Sequence, residues 1–221
     1  MMAVFEKGER LRHIGHLDIQ RAMQRALRRS GLPVAYSNGF NPHILLTFAS
    51  ALSTGAAGTN ELMETTLTED VTPEAFLRAM NDALPPDMQL HSCRPLEDRH
   101  PALMAMVTAA EYDIRILNGD IAPKLAAALP QLLAQEHVMA IRKTKSGEKE
   151  VDCRPQILSV TAEGDVLHAT LVLTERESCK PDMLLKALAS LAGTEVPRVM
   201  VVRRRLLGQA ADGTRVPLEE L

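Results

Sequence analysis

The sequence predicts an α+β fold built from two ferredoxin-like (split β-α-β) units in tandem. Three observations carry that expectation. Apolar residues at helical spacing alternate with short stretches of period two. The order strand, helix, strand, strand, helix, strand can be read once through Arg94 and again from Ala110. Between the two readings lies a stretch containing Pro95, Asp98, Arg99, His100 and Pro101, which has the composition of a linker. With 221 residues, the chain has room for two domains of roughly 100 residues each.

In the first half, Ala3 to Phe5 starts a short apolar strand and Lys7-Gly8-Glu9 reads as a turn. His16-Leu17-Asp18 leads into a helix to about Arg29, with Leu17, Ile19, Ala22, Met23, Ala26 and Leu27 on its apolar face. Ser30-Gly31 and then Pro33 stop that helix. His43 to Ala49 and Glu61 to Leu67 are candidate strands. Pro73 suits the first position of a helix to Leu84, where Ala75, Phe76, Ala79, Met80 and Ala83 form one face. Met88 to Arg94 returns as a strand.

In the second half, Ala110 to Leu117 alternates as a strand and Ala122 to Gln135 reads as a helix with Pro130 inside it. Val138 to Lys143 and Lys149 to Asp152 flank a turn at Ser146-Gly147, and Leu158 to Ala162 and Val166 to Thr174 flank Glu163-Gly164-Asp165. Pro181 to Ala192 is a helix stopped by Gly193, and Val199 to Leu207 is the last strand. The expected division is 1–97 for the first unit, with Ala102 to Val107 as a short helix beyond it, 108–210 for the second, and a tail at 211–221.

Composition narrows the function classes. Hydrophobic residues make up 46% and charged residues 24%, with a net charge of −3, so no global field draws the chain to nucleic acid or acidic membranes. Aromatic residues are only 3% and Trp is absent, which counts against an aromatic stacking platform for bases. No apolar run approaches the length of a membrane span, and the N-terminus lacks a signal pattern. Cys93, Cys153 and Cys179 are far apart, with no CxxC or Cys/His ligand spacing. The expectations are a soluble cytoplasmic protein, no membrane partner, no metal, no cofactor, and incidental thiols.

The distinctive stretch is Lys7-Gly8-Glu9-Arg10-Leu11-Arg12-His13-Ile14-Gly15-His16-Leu17-Asp18, continued by Arg25-Ala26-Leu27-Arg28-Arg29-Ser30-Gly31-Leu32-Pro33 and Tyr36-Ser37-Asn38-Gly39-Phe40-Asn41-Pro42-His43. A second is Gly147-Glu148-Lys149-Glu150-Val151-Asp152-Cys153-Arg154-Pro155. Together they resemble the radical-SAM-linked (radical-SAM-associated) bacterial proteins, and the likeness spans most of the chain. Three departures stand out. Gly15 occupies a position where that family usually has Ser, Ile44-Leu45 replace Pro-Lys, and Cys153 replaces an aliphatic residue. The resemblance implies a radical SAM enzyme as partner. The chain has no CxxxCxxC, so it is not itself read as the catalyst.

Through residue 50 there are seven Lys or Arg against three Asp or Glu. Arg21, Arg25, Arg28 and Arg29 recur at i, i+4, i+7 and i+8, one stripe opposite the apolar face. The stripe is either a solvated face that suits the helix dipole or a row of phosphate contacts. Arg10 and Arg12 just before the helix add weight to the second. His13, His16, Asp18 and His43 are the acid–base candidates. Asp18 reads first as a helix cap, while His16 is the weak catalytic candidate, as a general base, and equally a phosphate contact or a metal ligand. In the polar loop, Asn38, Asn41 and an apolar Phe40 form a candidate contact point, with Phe40 expected more as an anchor to the core. Ser53 to Gly58 is small and lacks a phosphate-loop Lys. Arg203 and Arg205 are expected on one strand face and Arg204 on the other, and Arg142, Lys143 and Lys145 form a further basic cluster.

The function expected is therefore a non-catalytic accessory or substrate-binding protein that works with a radical SAM enzyme and contacts RNA or a ribosomal component. The alternatives are a stand-alone RNA-binding protein or RNA-processing nuclease, and a small-molecule or peptide-binding module.

Overall fold

The computed structural model describes residues 1–97, 99–144 and 147–221, and only the backbone at 142–144. Asp98 of the expected linker, and Lys145 and Ser146 of the expected basic cluster and turn, lie outside the described residues. The protein is mixed α+β and divides into two compact units, Met1–Val107 with Gly208–Leu221, and Thr108–Leu207. Among the described residues no helix is long and apolar enough to cross a membrane.

The first unit runs β1 (Met2–Lys7), α1 (His16–Arg29), β2 (Leu46–Phe48), β3 (Ala56–Thr65), α2 (Pro73–Ala83), β4 (Leu90–Arg94) and the short α3 (Leu103–Met106). Its strands lie in the order β4-β1-β3-β2, each antiparallel to its neighbour. Every residue of β1 from Met2 to Phe5 is buried, which is why this stretch reads as continuously apolar rather than alternating. Ala3 and Phe5 of β1 and Met63 of β3 join Ile19, Met23 and Leu27 of α1 and Phe76 and Met80 of α2 in one core. Each large side chain there contributes about 1.5–3 kcal/mol by leaving water.

Local chemistry sets the helix ends. Gly15, extended at φ −71° and ψ 157°, is the N-cap of α1 and supplies no side-chain bond. The expected cap, Asp18, lies inside the first turn, where it pairs with Arg21 instead. Leu17, expected on the apolar face, is 63% exposed. Helical phase puts it well round from Met23 and Leu27. Beyond the helix, Gly31 takes φ +72°, a left-handed ending that side chains disfavour. α2 begins as expected at Pro73, capped by Thr72, whose hydroxyl accepts from Ala75 N at 3.3 Å. β3 starts earlier than its alternation suggested, because Ala56, Ala57 and Gly58 are buried strand residues rather than a flexible loop.

The second unit contains β5 (Ala109–Ile116), α4 (Ala122–Ala134), β6 (Met139–Thr144), β7 (Gly147–Asp152), β8 (Ile157–Glu163), β9 (Val166–Val172), α5 (Pro181–Ala192) and β10 (Val199–Gln209), the last as far as Leu207. The strand order is β10-β5-β9-β8, again antiparallel throughout, while β6 and β7 form a separate ribbon. Ile114, Leu125, Leu132, Leu171, Leu184 and Leu188 are fully buried. Pro130 lies within α4 at an exposed position, and the helix runs past it to Ala134. Gly193 closes α5 at φ +63°, its N–H bonded to Ser190 O.

β10 departs from simple alternation. A register shift between Arg203 and Arg205 sets Arg203 opposite Tyr112 and Arg205 opposite Glu111. Tyr112 and Glu111 are consecutive, so the extra residue of this bulge turns Arg203 and Arg205 to opposite faces. Arg203 is 1% exposed. Arg204 donates to Asp113 at 2.9 Å, and Arg205 lies 3.4 Å from Glu111. The expected pairing of Arg203 with Arg205 on one face is thus replaced by Arg204 with Arg205. After Leu207 the chain rejoins the first unit, with β11 (Arg215–Pro217) and a final 3₁₀ turn in place of the expected tail.

A candidate functional site at the start of the basic helix

β1 ends with a bulge between Phe5 and Lys7. The chain then makes a 3₁₀ turn over Glu9–Leu11, held by Gly8 N donating to Asp87 O at 2.8 Å. Arg12 O gathers this corner, accepting from Gly55 N at 2.7 Å and from the Lys7 ammonium at 3.2 Å. His16 opens α1 and stands edge-on to Phe48 with ring centres 5.2 Å apart. Phe48 meets Phe5 in the same way at 5.6 Å.

These groups surround a cavity of about 10 Å³ whose lining includes Lys7, His16, Phe48, Ser50, Leu52 and Glu61. Lys7 and Glu61 are 2% and 3% exposed. Charges taken that far from water are costly unless partners surround them. Gly58, opposite Lys7 in register, makes room for the carboxylate. A Cβ built on Gly58 would lie 2.5 Å from Glu61 Oε1. The volume is about that of one water, so the centre holds charged groups in place rather than admitting a substrate. In the sequence Lys7 belongs to an expected turn, and Glu61 is simply one residue of an expected strand. The one available signal was that Lys7 continues the parity of Ala3 and Phe5 on a buried strand.

The arginines have unequal surroundings. Arg21 is 2.9 Å from Asp18 on the helix surface, and Arg29 donates to Ala83 O at 2.6 Å. Arg25 and Arg28 are exposed, and neither has an ion-pair partner among the described residues. Arg10, with a side chain 85% exposed, is 3.8 Å from Asp87, and Arg12 donates to Glu9 O at 3.1 Å.

The expected contact loop forms a pinched tip. Tyr36 bridges Ile44. Ser37 N donates to His43 O at 2.8 Å, while the Ser37 hydroxyl meets His43 Nδ1 at 2.8 Å and accepts from His43 N at 3.1 Å. Asn38 and Asn41 are exposed. Phe40 is fully exposed, so the anchoring role expected for it is not what the fold uses. The pinch and the positive φ of Gly39 (127°) carry the tip away from the core. His43 lines an open cleft of about 590 Å³ with Glu64, Glu69, Asp70, Glu97 and His100. His16 and His43 therefore face different cavities. Among the described residues no group of three or more His, Cys, Asp or Glu is placed to hold a metal.

A family model described as "uncharacterized protein conserved in bacteria (DUF2344)" matches residues 1–183. The chain belongs to that family. The DUF2344 match takes in Lys7, His16, Glu61, the whole of α1 and the exposed loop, and it ends within α5. Among curated proteins none matches.

Proposed function

We propose that this DUF2344 protein is a non-catalytic, substrate-binding accessory protein that works with a radical SAM enzyme and contacts RNA or a ribosomal component through α1. The enzyme partner rests on the likeness of the Lys7–His43 composite to the radical-SAM-linked proteins. The observation that carries the RNA contact is the pair Arg25 and Arg28, one turn apart, exposed and without ion-pair partners among the described residues. Arg21 extends the row, because an exposed pair such as Arg21–Asp18 is worth no more than about 1 kcal/mol and exchanges readily for a phosphate. The small volume beside His16 favours a structural role there over acid–base catalysis.

The reading of two tandem ferredoxin-like units is supported by the two strand orders, β4-β1-β3-β2 and β10-β5-β9-β8, each with two helices in the matching sequence order. Such a fold carries many functions and supplies no mechanism.

The test is anisotropy of a labelled RNA oligonucleotide over a salt series, with Arg25→Glu/Arg28→Glu beside wild type. Each lost phosphate contact should lower the log–log salt slope by about 1. The double variant should bind at least tenfold more weakly. Unchanged affinity would remove the RNA contact from the proposal. A tagged pull-down that survives RNase should recover a radical SAM enzyme, and its failure to do so would remove that partner.

A second reading, a small-molecule or peptide-binding module, is favoured by the cleft near His43. Its volume of about 590 Å³ is typical of ligand sites, and its carboxylates fit a cationic ligand. Calorimetry with a basic peptide, repeated on Glu69→Gln/Asp70→Asn, tests it.

A further inference from the structure

Of the four Phe residues, Phe5, Phe48 and Phe76 are buried, whereas Phe40 stands fully exposed at the tip of the pinched loop. The loop is held in shape. Two bonds join the Ser37 hydroxyl to His43, and Leu45 N donates to Ala35 O at 3.0 Å in the stem below them. Tyr36 and Leu45 of that stem are exposed as well. Between Arg29 and Glu61 the chain has no Asp, Glu, Lys or Arg. Aromatic and aliphatic side chains on an ordered, charge-free segment are the composition of the core of a protein–protein interface.

The cleft of about 590 Å³ opens at the base of this loop, since His43, Ile44 and Leu45 all line it. Leu67, Val71 and Leu96 extend its apolar wall. Its carboxylates, Glu64, Glu69, Asp70 and Glu97, set an anionic partner at a disadvantage. They also accept hydrogen bonds, and the exposed Asn38 and Asn41 carry amide donors on either side of Phe40. One face of the first unit therefore bears a projecting aromatic ring and, beside it, a recess that suits the ring and its flanking amides. Two copies facing each other across a twofold axis fill both recesses at once.

We propose that this face pairs two copies of the chain, each seating its Phe40 in the other's cleft. The loop brings no carboxylate to the acidic recess, so the pairing has no like-charge contact to overcome there. Each Phe contributes about 150–250 Å², so the two together supply less than half of the ~1,200–2,000 Å² of a standard interface. Tyr36, Leu45 and the cleft rims supply the remainder. The dimer is accordingly reversible, and its population rises with concentration.

The experiment is sedimentation velocity of the full chain over a concentration series. Wild type should move from the monomer mass toward twice that mass, and Phe40→Ala should stay monomeric. Because Phe40 packs on nothing within its own chain, this variant should keep the wild-type circular dichroism. The chain has no Trp, so Phe40→Trp adds a single indole reporter. Its emission should shift to shorter wavelength, and acrylamide quenching should fall, in step with the mass. Thr66 is exposed on the cleft wall. Adding Thr66→Arg to Phe40→Trp fills the recess and should remove both changes. A wild type that is monomeric at every concentration overturns the proposal. So does a dimer that persists in Phe40→Ala, or one in which the indole stays exposed or ignores Thr66→Arg.

Discussion

Asp152 sits among a cluster of hydrogen-bond donors. It accepts from His137 Nδ1 at 2.8 Å, from Val138 N at 2.9 Å and from Arg154 N at 3.0 Å. The His137 bond, followed by the two backbone donors, lowers its pKa from 3.8 to about 2. A carboxylate depressed on folding stabilises the fold above its ordinary pKa, and that contribution fades as pH falls from about 3.8 through about 2. Carbon-detected NMR titration should place the Asp152 midpoint near 2, and His137→Ala should raise it while the backbone donors keep it below the ordinary value. An unmoved midpoint would show that His137 is a bystander. Asp113 has a different balance. Burial pushes it up, but hydrogen bonds from Arg204 and His168 outweigh burial and hold it down.

Among the elements, α2 gives the clearest test of local coding. Thr72 satisfies one of the four N–H groups that a helix start leaves open. Thr72→Ala should therefore cost about 1 kcal/mol, read as a lower urea midpoint with unchanged slope. The helices were legible because a buried face repeats with helical period, and Pro73, Pro181, Gly31 and Gly193 punctuate them in any context. The first half of β3 was not, since Ala56-Ala57-Gly58 looks like loop until Glu61 is seen to need the space at Gly58. The bulge in β10 was hidden for a related reason. Register belongs to a pair of strands, and alternation along one strand cannot report an extra residue.

At the scale of the molecule, the site residues were partly legible. The basic stripe is local, and helical spacing alone put Arg21, Arg25 and Arg28 on one face. Lys7 and Glu61 line one cavity only because β1 pairs with β3, and the cleft near His43 draws on four separated stretches of chain. The closing segment is equally non-local. Leu218 is fully buried, and a Cβ on Gly208 would meet Leu218 at 3.0 Å and Met106 O at 3.3 Å. A chain shortened after Gln209 should lose amide protection in β1 and β3 by hydrogen exchange. Unchanged protection there would show the segment to be dispensable.

That return of the chain to its first unit also bears on synthesis. A ribosome delivers residues in order, and domains usually fold as they emerge. Here Met1–Val107 must wait for Gly208–Leu221, whereas Thr108–Leu207 is continuous. The later-made unit is therefore the earlier one to have all its parts, and the first unit is completed only once Gly208–Leu221 has emerged.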